Sequence, residues 1–291
     1  MKQEYLNYLE AVRGLSEHTR LAYGRDLDCW EAFLADRGAR LADASPALAG
    51  DFLRHLGRDG LSPRSVNRVL SCLRGFYRYL LRTGHASSHP FAGIRSLKTP
   101  RRLPVFLFEK EVQMLLGQDG QGFQPIRDRF LFEMLYGTGC RVSEICSLDL
   151  ETVKGKSRFA VTGKGNKTRM VFMTPSAKKA LAAYLPLRSQ RVDASDADAV
   201  RALFVNSQGK RLGVRGVQKI VGQAAVRAGL TKTTSPHTLR HTFATHLSSE
   251  GMDVRVVQEL LGHSRLETTQ VYTHLSLDRL KDIVRAAHPH G

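Results

Sequence analysis

The stretch from Ser235 to Tyr272, SPHTLRHTFATHLSSEGMDVRVVQELLGHSRLETTQVY, most constrains the chain, because start and stop signals for three helices follow one another there within a few turns. Ser235 and Pro236 form a helix start: the serine oxygen caps a free amide, and proline suits the first turn, whose N–H has no partner anyway. The helix then opens with His237 and Arg240, three residues apart and so on one face. Unpaired amides and the positive end of the helix dipole suit a phosphate at that end, so an anion site is expected. Leu239, Phe243 and Leu247 recur at spacing four and give the same helix an apolar face for the core. Asp253 is placed to cap a second helix, Val254 to Leu261, which Gly262 ends in a left-handed conformation. His263 follows that stop directly. Ser264 and Glu267 form a capping box for a short third helix that carries Tyr272. His237 and His241 have the spacing of metal ligands, but a zinc protease motif needs Glu after the first His, where Thr238 stands. No metal site is expected.

Upstream, residues 1 to about 95 read as helical throughout. A first helix covers Gln3 to Arg13. Ser16 caps a second with Leu27, Trp30, Phe33 and Leu34 inward, and Pro46 opens a third that ends near Leu56. Ser62 and Pro63 repeat the cap-then-proline signal before a fourth helix, which carries Val66, Val69, Leu70, Leu73, Phe76, Tyr77 and Leu80 and stops at Gly84. Four helices with short connections make a compact bundle. Arg64, Arg68, Arg74, Arg78 and Arg82 take polar positions of the fourth helix. A charged helix face is ordinarily a solvated one, but an arginine face without balancing acid favours phosphate contact. The segment 89–107, with its prolines and basic residues, reads as an extended interdomain linker.

Charge and composition narrow the partner. The 291 residues hold 44 Lys+Arg against 27 Asp+Glu, a net charge of +17, which points to a polyanion and to nucleic acid before membrane. No apolar run reaches the roughly 18–20 residues needed to span a bilayer, and the opening MKQEYLNYLE lacks the apolar core of a signal peptide. Cys29, Cys72, Cys140 and Cys146 show no CxxC pairing and are expected to be reduced thiols in a cytoplasmic protein.

In the second half, Val112, Leu115 and Leu116, then Phe130, Leu131, Met134 and Leu135, resume the helical pattern up to the break Gly137-Thr138-Gly139. Arg141 then opens a helix with Val142, Ile145 and Leu148 inward. Glu144 lies three residues on, on the same face, where it either orients the guanidinium or is a surface acid. Arg158 to Val161 and Arg169 to Met173 read as strands around the turn TGKGNKT, which holds Lys164 and, as its near competitor, Lys167. That turn lacks the G-x-x-x-x-G-K-[ST] spacing of a phosphate loop. Leu203 to Val205 reads as a third strand, and Val214 to Ala228 as a basic helix. Leu280, Ile283, Val284 and Ala287 form an apolar stripe near the end of the chain.

HTLRH, LGHS and VYTH at these separations, with TGCRVSEICSLD around Arg141, resemble the tyrosine recombinases, most closely the Xer type. Cys140 stands where that family commonly has a bulkier apolar residue. The resemblance implies a mainly α fold: an N-terminal four-helix DNA-binding bundle (1–88), a linker (89–107), and a mixed α+β catalytic domain with a small β-sheet and a tail helix (108–291). It implies a catalytic set of Arg141, Lys164, His237, Arg240, His263 and the nucleophile Tyr272, the last forming a 3′-phosphotyrosine linkage to DNA. It raises Lys164, otherwise an exposed hairpin lysine, to a catalytic role. The implied partners are a double-stranded recombination site and a homo- or hetero-tetramer on it, with a paralogous recombinase and a DNA translocase among them. The tail stripe would dock on a neighbouring subunit, with self-packing the alternative. No cofactor is expected, neither metal nor ATP, since one phosphoester replaces another. A type IB topoisomerase uses similar chemistry, a mobile-element integrase shares the layout, and an architectural DNA-binding protein would use the basic surface alone. The bundle begins too near Met1 for the extra arm-binding domain of many phage integrases, which favours resolution of chromosome or plasmid dimers.

Overall fold

The computed structural model describes residues 1–15, 17–100, 104–118, 120–163 and 167–262. The expectations for Ser16, Lys164, His263, Ser264, Glu267, Tyr272 and the tail stripe lie outside them. The chain divides into two compact units, Met1–Arg102 and Leu103–Gly291.

The first unit is built from α1 (Lys2–Ala11), α2 (Glu17–Ala35), α3 (Pro46–Arg58) and α4 (Pro63–Arg82), with a 3-10 turn at Leu41–Asp43. Both cap-then-proline starts form: Ser45 accepts from the Leu48 amide and Ser62 from the Ser65 amide, each at 3.2 Å. The core is aromatic. Trp30, fully buried, packs on Phe52 at 4.9 Å and edge-on to Phe91 at 5.2 Å, and its indole N–H donates to the Tyr77 hydroxyl at 3.1 Å. Tyr77 in turn donates to the Leu41 carbonyl at 2.9 Å, so the polar tips of both rings are satisfied inside the core.

Of the five α4 arginines, Arg68 and Arg74 make tertiary contacts within the bundle, although Arg68 itself stays exposed. Arg68 pairs with Asp26 of α2, a carboxylate only 5% exposed, so the face is not without balancing acid. Arg74 donates to the carbonyls of Phe91 and Ile94. Arg82 lies 4.6 Å from the centroid of the Tyr8 ring, and Arg64, Arg78 and Arg82 are all exposed. The contacts of Arg74 also tie down the start of the segment 89–107, which forms neither helix nor strand in its described parts. Phe91 is fully buried in the bundle core, and Asn67 brackets Leu97 with paired bonds of 2.9 and 2.8 Å.

The second unit runs α5 (Glu109–Leu116), α6 (Phe123–Thr138), α7 (Val142–Ser147), α8 (Leu150–Val153), β1 (Arg158–Thr162), β2 (Thr168–Phe172), α9 (Pro175–Arg191), α10 (Ala197–Arg201), α11 (Val214–Arg227), α12 (Pro236–Ser249) and α13 (Val254–Leu261). Strands β1 and β2 pair antiparallel, with Arg158 opposite Phe172 and Thr162 opposite Thr168. The expected third strand at 203–205 is not one: Ala202 and Val205 make isolated bridges to Asp149 and Arg211. The Asp-rich stretch before it is ordered by its own carboxylates, since Asp196 caps α10 and Asp198 pairs with Arg211. Helix α6 is buried on nearly all sides, and α9 and α12 pack on it. Ahead of α5, Leu107 is fully buried; its amide donates to the Thr242 hydroxyl and its carbonyl meets His246 Nε2, both at 2.9 Å. None of the described helices is long and apolar enough to cross a membrane.

Candidate active site

Helix α6 must stop sharply to deliver Arg141, and Gly139 stops it in the left-handed region at φ +59°. A Cβ on Gly139 would stand 2.5 Å from Phe243 Cδ1 on α12 and 3.0 Å from Leu261 Cδ2 on α13, so only glycine lets the two helices close on this turn. Thr138 steadies the turn: its hydroxyl donates to the Met134 carbonyl and accepts from the Cys140 amide. Cys140 is fully buried, and burial pushes its thiol up to about 11, so it is a packed thiol and not a reactive one.

Arg141 is the N-cap of α7. Glu144 reaches back to it, accepting from its amide at 2.7 Å through Oε2 and from its guanidinium at 2.9 Å through Oε1. At 3% exposure Glu144 is no surface acid. Its second partner lies on the hairpin: Arg169 of β2 grips both carboxylate oxygens, at 2.8 and 2.7 Å. Burial alone pushes the Glu144 carboxyl up, but the hydrogen bonds from Arg169 and from the Arg141 amide outweigh it and hold the group below its ordinary range. Sequence reasoning passed over Arg169. The signal was there in the period-two alternation of β2, which puts Arg169 on the buried side with Val171, where an arginine needs an acid.

Helix α12 starts as expected. Ser235 accepts from the Thr238 amide at 3.2 Å, and Thr238, in place of the usual Glu, returns a bond to the Ser235 amide. His237 is exposed, and Arg240 one turn on is 6% exposed. The Arg240 guanidinium donates to the Gly139 carbonyl at 2.7 Å and to the Leu261 carbonyl. Burial, with Arg141 and Arg169 close by, lowers Arg240 to about 10, so it stays charged at neutral pH. His241 is lowered as well, by burial and then by His237. These two histidines and Arg240 line a cavity of about 840 Å³ whose walls include Ala244, Val257 and Leu261.

The structure thus brings Arg141 and Arg240, 99 residues apart by number (240 less 141), to one point, the C-terminal end of α13. Arg141 donates to the Gly262 carbonyl at 3.1 Å, immediately before His263 in the chain. The hairpin reaches the same point: a Cβ on Gly163, which precedes Lys164, would lie 3.0 Å from Glu144 Oε1 and 3.1 Å from the Arg141 guanidinium. Arg141, Arg169 and Arg240 against Glu144 alone carry a net charge of +2 (three cations, one anion). Such an arrangement can hold an oxyanion with forked donors. Of the six expected catalytic residues, Arg141 and Arg240 meet at this point and His237 lines the cavity beside Arg240, while Lys164, His263 and Tyr272 fall outside the described residues.

Comparison with known proteins agrees over the length of the chain. Residues 105–279 match the phage integrase family, and residues 3–84 match the phage integrase N-terminal SAM-like domain. Tyrosine recombinase XerC of Treponema denticola is 36% identical over 99% of this chain and 98% of its own. Tyrosine recombinase XerD of Lacticaseibacillus casei is 38% identical over the same shares, and XerC of Stutzerimonas stutzeri is 42% identical over 98% of this chain and 94% of its own. The fold resembles that of the XerH site-specific recombinase bound to palindromic difH substrate, with a TM-score of 0.70 at 22% identity over 97% of this chain and 83% of that one. It also resembles the Tn1549 transposon integrase in complex with a circular intermediate DNA, with a TM-score of 0.74 at 19% identity over 97% of each chain. With both units matched and relatives of this identity spanning nearly its whole length, the chain belongs to the phage integrase family, as a tyrosine recombinase of the Xer type.

Proposed function

We propose that the protein is a site-specific DNA recombinase that cleaves and rejoins strands through a 3′-phosphotyrosine on Tyr272, and that it resolves chromosome or plasmid dimers through a Holliday junction. The observation that carries the chemistry is the convergence of Arg141 and Arg240 on the carbonyls of Gly262 and Leu261. Phosphate oxygens are stronger acceptors than carbonyls, and a scissile phosphate would exchange for them.

Tyrosine has an ordinary pKa of about 10, so attack on phosphorus at neutral pH needs a proton acceptor and charge stabilisation. Tyr272 Oη forms the new bond to phosphorus as the bond to the sugar 5′ oxygen breaks. The tyrosine proton passes to His237 or His263, and Lys164 as an ammonium supplies a proton to the departing 5′ oxygen. Arg141 and Arg240 hold the non-bridging oxygens, where charge builds in the five-coordinate transition state. One phosphoester is exchanged for another, so the scheme draws on no ATP, and the arginines take the role a metal ion would have. The 5′-hydroxyl of a partner strand then attacks the phosphotyrosine, and a second pair of exchanges resolves the junction. The XerH and Tn1549 structures were determined with DNA, which supports a duplex recombination site as partner; a homo- or hetero-tetramer, a paralogous recombinase and a translocase complete the reading.

The test is a set of nicked suicide duplexes carrying candidate core sites, incubated with the wild type and with Tyr272→Phe. A denaturant-resistant adduct present in the wild type and absent from the variant is the expected result. Tight DNA binding with no adduct on any site, also after addition of a paralogous recombinase, would mean an architectural role instead.

A further inference from the structure

Three consecutive carbonyls at the end of α13 are taken by three arginines: Leu260 by Arg169 Nε at 2.9 Å, Leu261 by Arg240, and Gly262 by Arg141 at 3.1 Å. The last carbonyls of a helix have no partner within it and are ordinarily left to water or to a backbone turn. Here they join the helix end to the two arginines that the proposed chemistry uses and to a third, Arg169. Arg169 is the member of the three best placed to hold the others. Its side chain is 6% exposed against 33% for Arg141, and, unlike Arg240, it spends its fork on a carboxylate of the protein. One edge of its fork holds both oxygens of Glu144, and Nε on the other side holds Leu260.

Resting on the recombinase reading, we propose that Arg169 is a positioning residue for DNA cleavage. It fixes Glu144, Glu144 fixes the guanidinium and amide of Arg141, and the same side chain fixes the end of α13. An arginine is needed because the three nitrogens of one plane serve two acceptor groups on different elements; the point charge of lysine can serve one at a time. Gly262 packs close beside this side chain, since a Cβ on it would lie 3.1 Å from Arg169 Cδ. A misplacement of about 1 Å at a reacting group is enough to cost roughly 100-fold in rate.

Arg169→Lys keeps the buried charge balance and is the primary variant; Arg169→Met is the severe one. Single-turnover cleavage of the nicked duplex at saturating protein is compared with DNA affinity and melting temperature for both, for Glu144→Gln, and for Arg169→Lys with Glu144→Gln. We expect Arg169→Lys to cleave about 10- to 100-fold more slowly with DNA affinity within about 3-fold of wild type. The double variant should be no slower than the slower single one, because both changes cut the same link. A purely structural role would lower the melting temperature and leave the rate alone at temperatures well below it. Wild-type cleavage by folded Arg169→Lys overturns the proposal, as do two effects that multiply. Should Arg169→Met fail to fold, Arg169→Lys decides. If the wild type forms no adduct on any site, with or without a paralogous recombinase, the recombinase reading fails, and the positioning of Arg141 by Arg169 is then tested by itself. The Arg141 Nε–H resonance then reports on positioning without DNA: it should shift or broaden in Arg169→Lys, and an unchanged signal would refute the link.

Discussion

Arg240 donates to the Gly139 carbonyl at 2.7 Å across 101 residues of sequence. The bond joins the first turn of α12 to the stop of α6, so the two arginines expected at the phosphate are built from one contact: Gly139 holds Arg240, and two residues later the chain presents Arg141. The same glycine touches Phe243 and Leu261, which couples the turn to the packing of both following helices.

Gly139→Ala should therefore fail on two counts. A left-handed alanine costs about 1–2 kcal/mol, and overpacking against Phe243 costs about 1–3 kcal/mol more. The expected loss is roughly 2–5 kcal/mol, measured as a lower denaturation midpoint, with strand cleavage reduced even where the variant is folded. Wild-type stability would mean that Phe243 yields and that the turn is not pinned.

Much of this was legible in the sequence because it is written in local signals. The Ser62–Pro63 and Ser235–Pro236 starts, the glycine stops at 84, 139 and 262, and the hairpin strands all rest on rules that act over a few residues, and they form as read. Arg141 sits beside such a break, and its pairing with Glu144 is a contact within one turn. What escaped was made by distance. Asp26, buried on another helix, pairs with Arg68, Arg169 meets Glu144 across 25 residues, and Phe91 enters the bundle from a stretch with no periodicity to mark it. The strand expected at 203–205 shows the converse: a short apolar run reads as strand, but its neighbours offer bridges and no ladder.

The division among the α4 arginines separates DNA contact from stability. Arg64 is exposed, so Arg64→Ala should leave the melting temperature unchanged and lower the slope of log affinity against log salt by about 0.9, the signature of one lost phosphate contact. Arg74 binds the Phe91 and Ile94 carbonyls, so Arg74→Ala should cost roughly 1–3 kcal/mol of stability by leaving partly buried carbonyls unmet. Melting curves and salt titrations of DNA binding, run on both variants, check the pair. An Arg64→Ala protein with unchanged salt slope would remove this residue from the DNA face.

Glu133 on α6 predicts a pH dependence with a definite sign. The residue is fully buried, neither carboxylate oxygen has a hydrogen-bond partner among the described residues, and Arg129 approaches only to 3.7 Å. Burial raises its pKa above the ordinary 4.5, with Arg129 opposing in part. A carboxyl whose folded pKa lies above its unfolded one keeps its proton longer in the native state, so stability falls as pH rises from 4.5 through the folded value. The penalty is complete above that value and absent below 4.5. Glu133→Gln removes the charge and keeps the shape, so the variant should be more stable than the wild type near neutral pH, by about 1 kcal/mol on the scale of an unmet buried group. That advantage should shrink to nothing by about pH 4, where the wild-type carboxyl is protonated in both states. Thermal melts of the two proteins across that range give the difference directly. A difference that stays constant with pH would mean that Glu133 does not titrate between the folded and unfolded chain, and that the buried carboxylate finds compensation from Arg129.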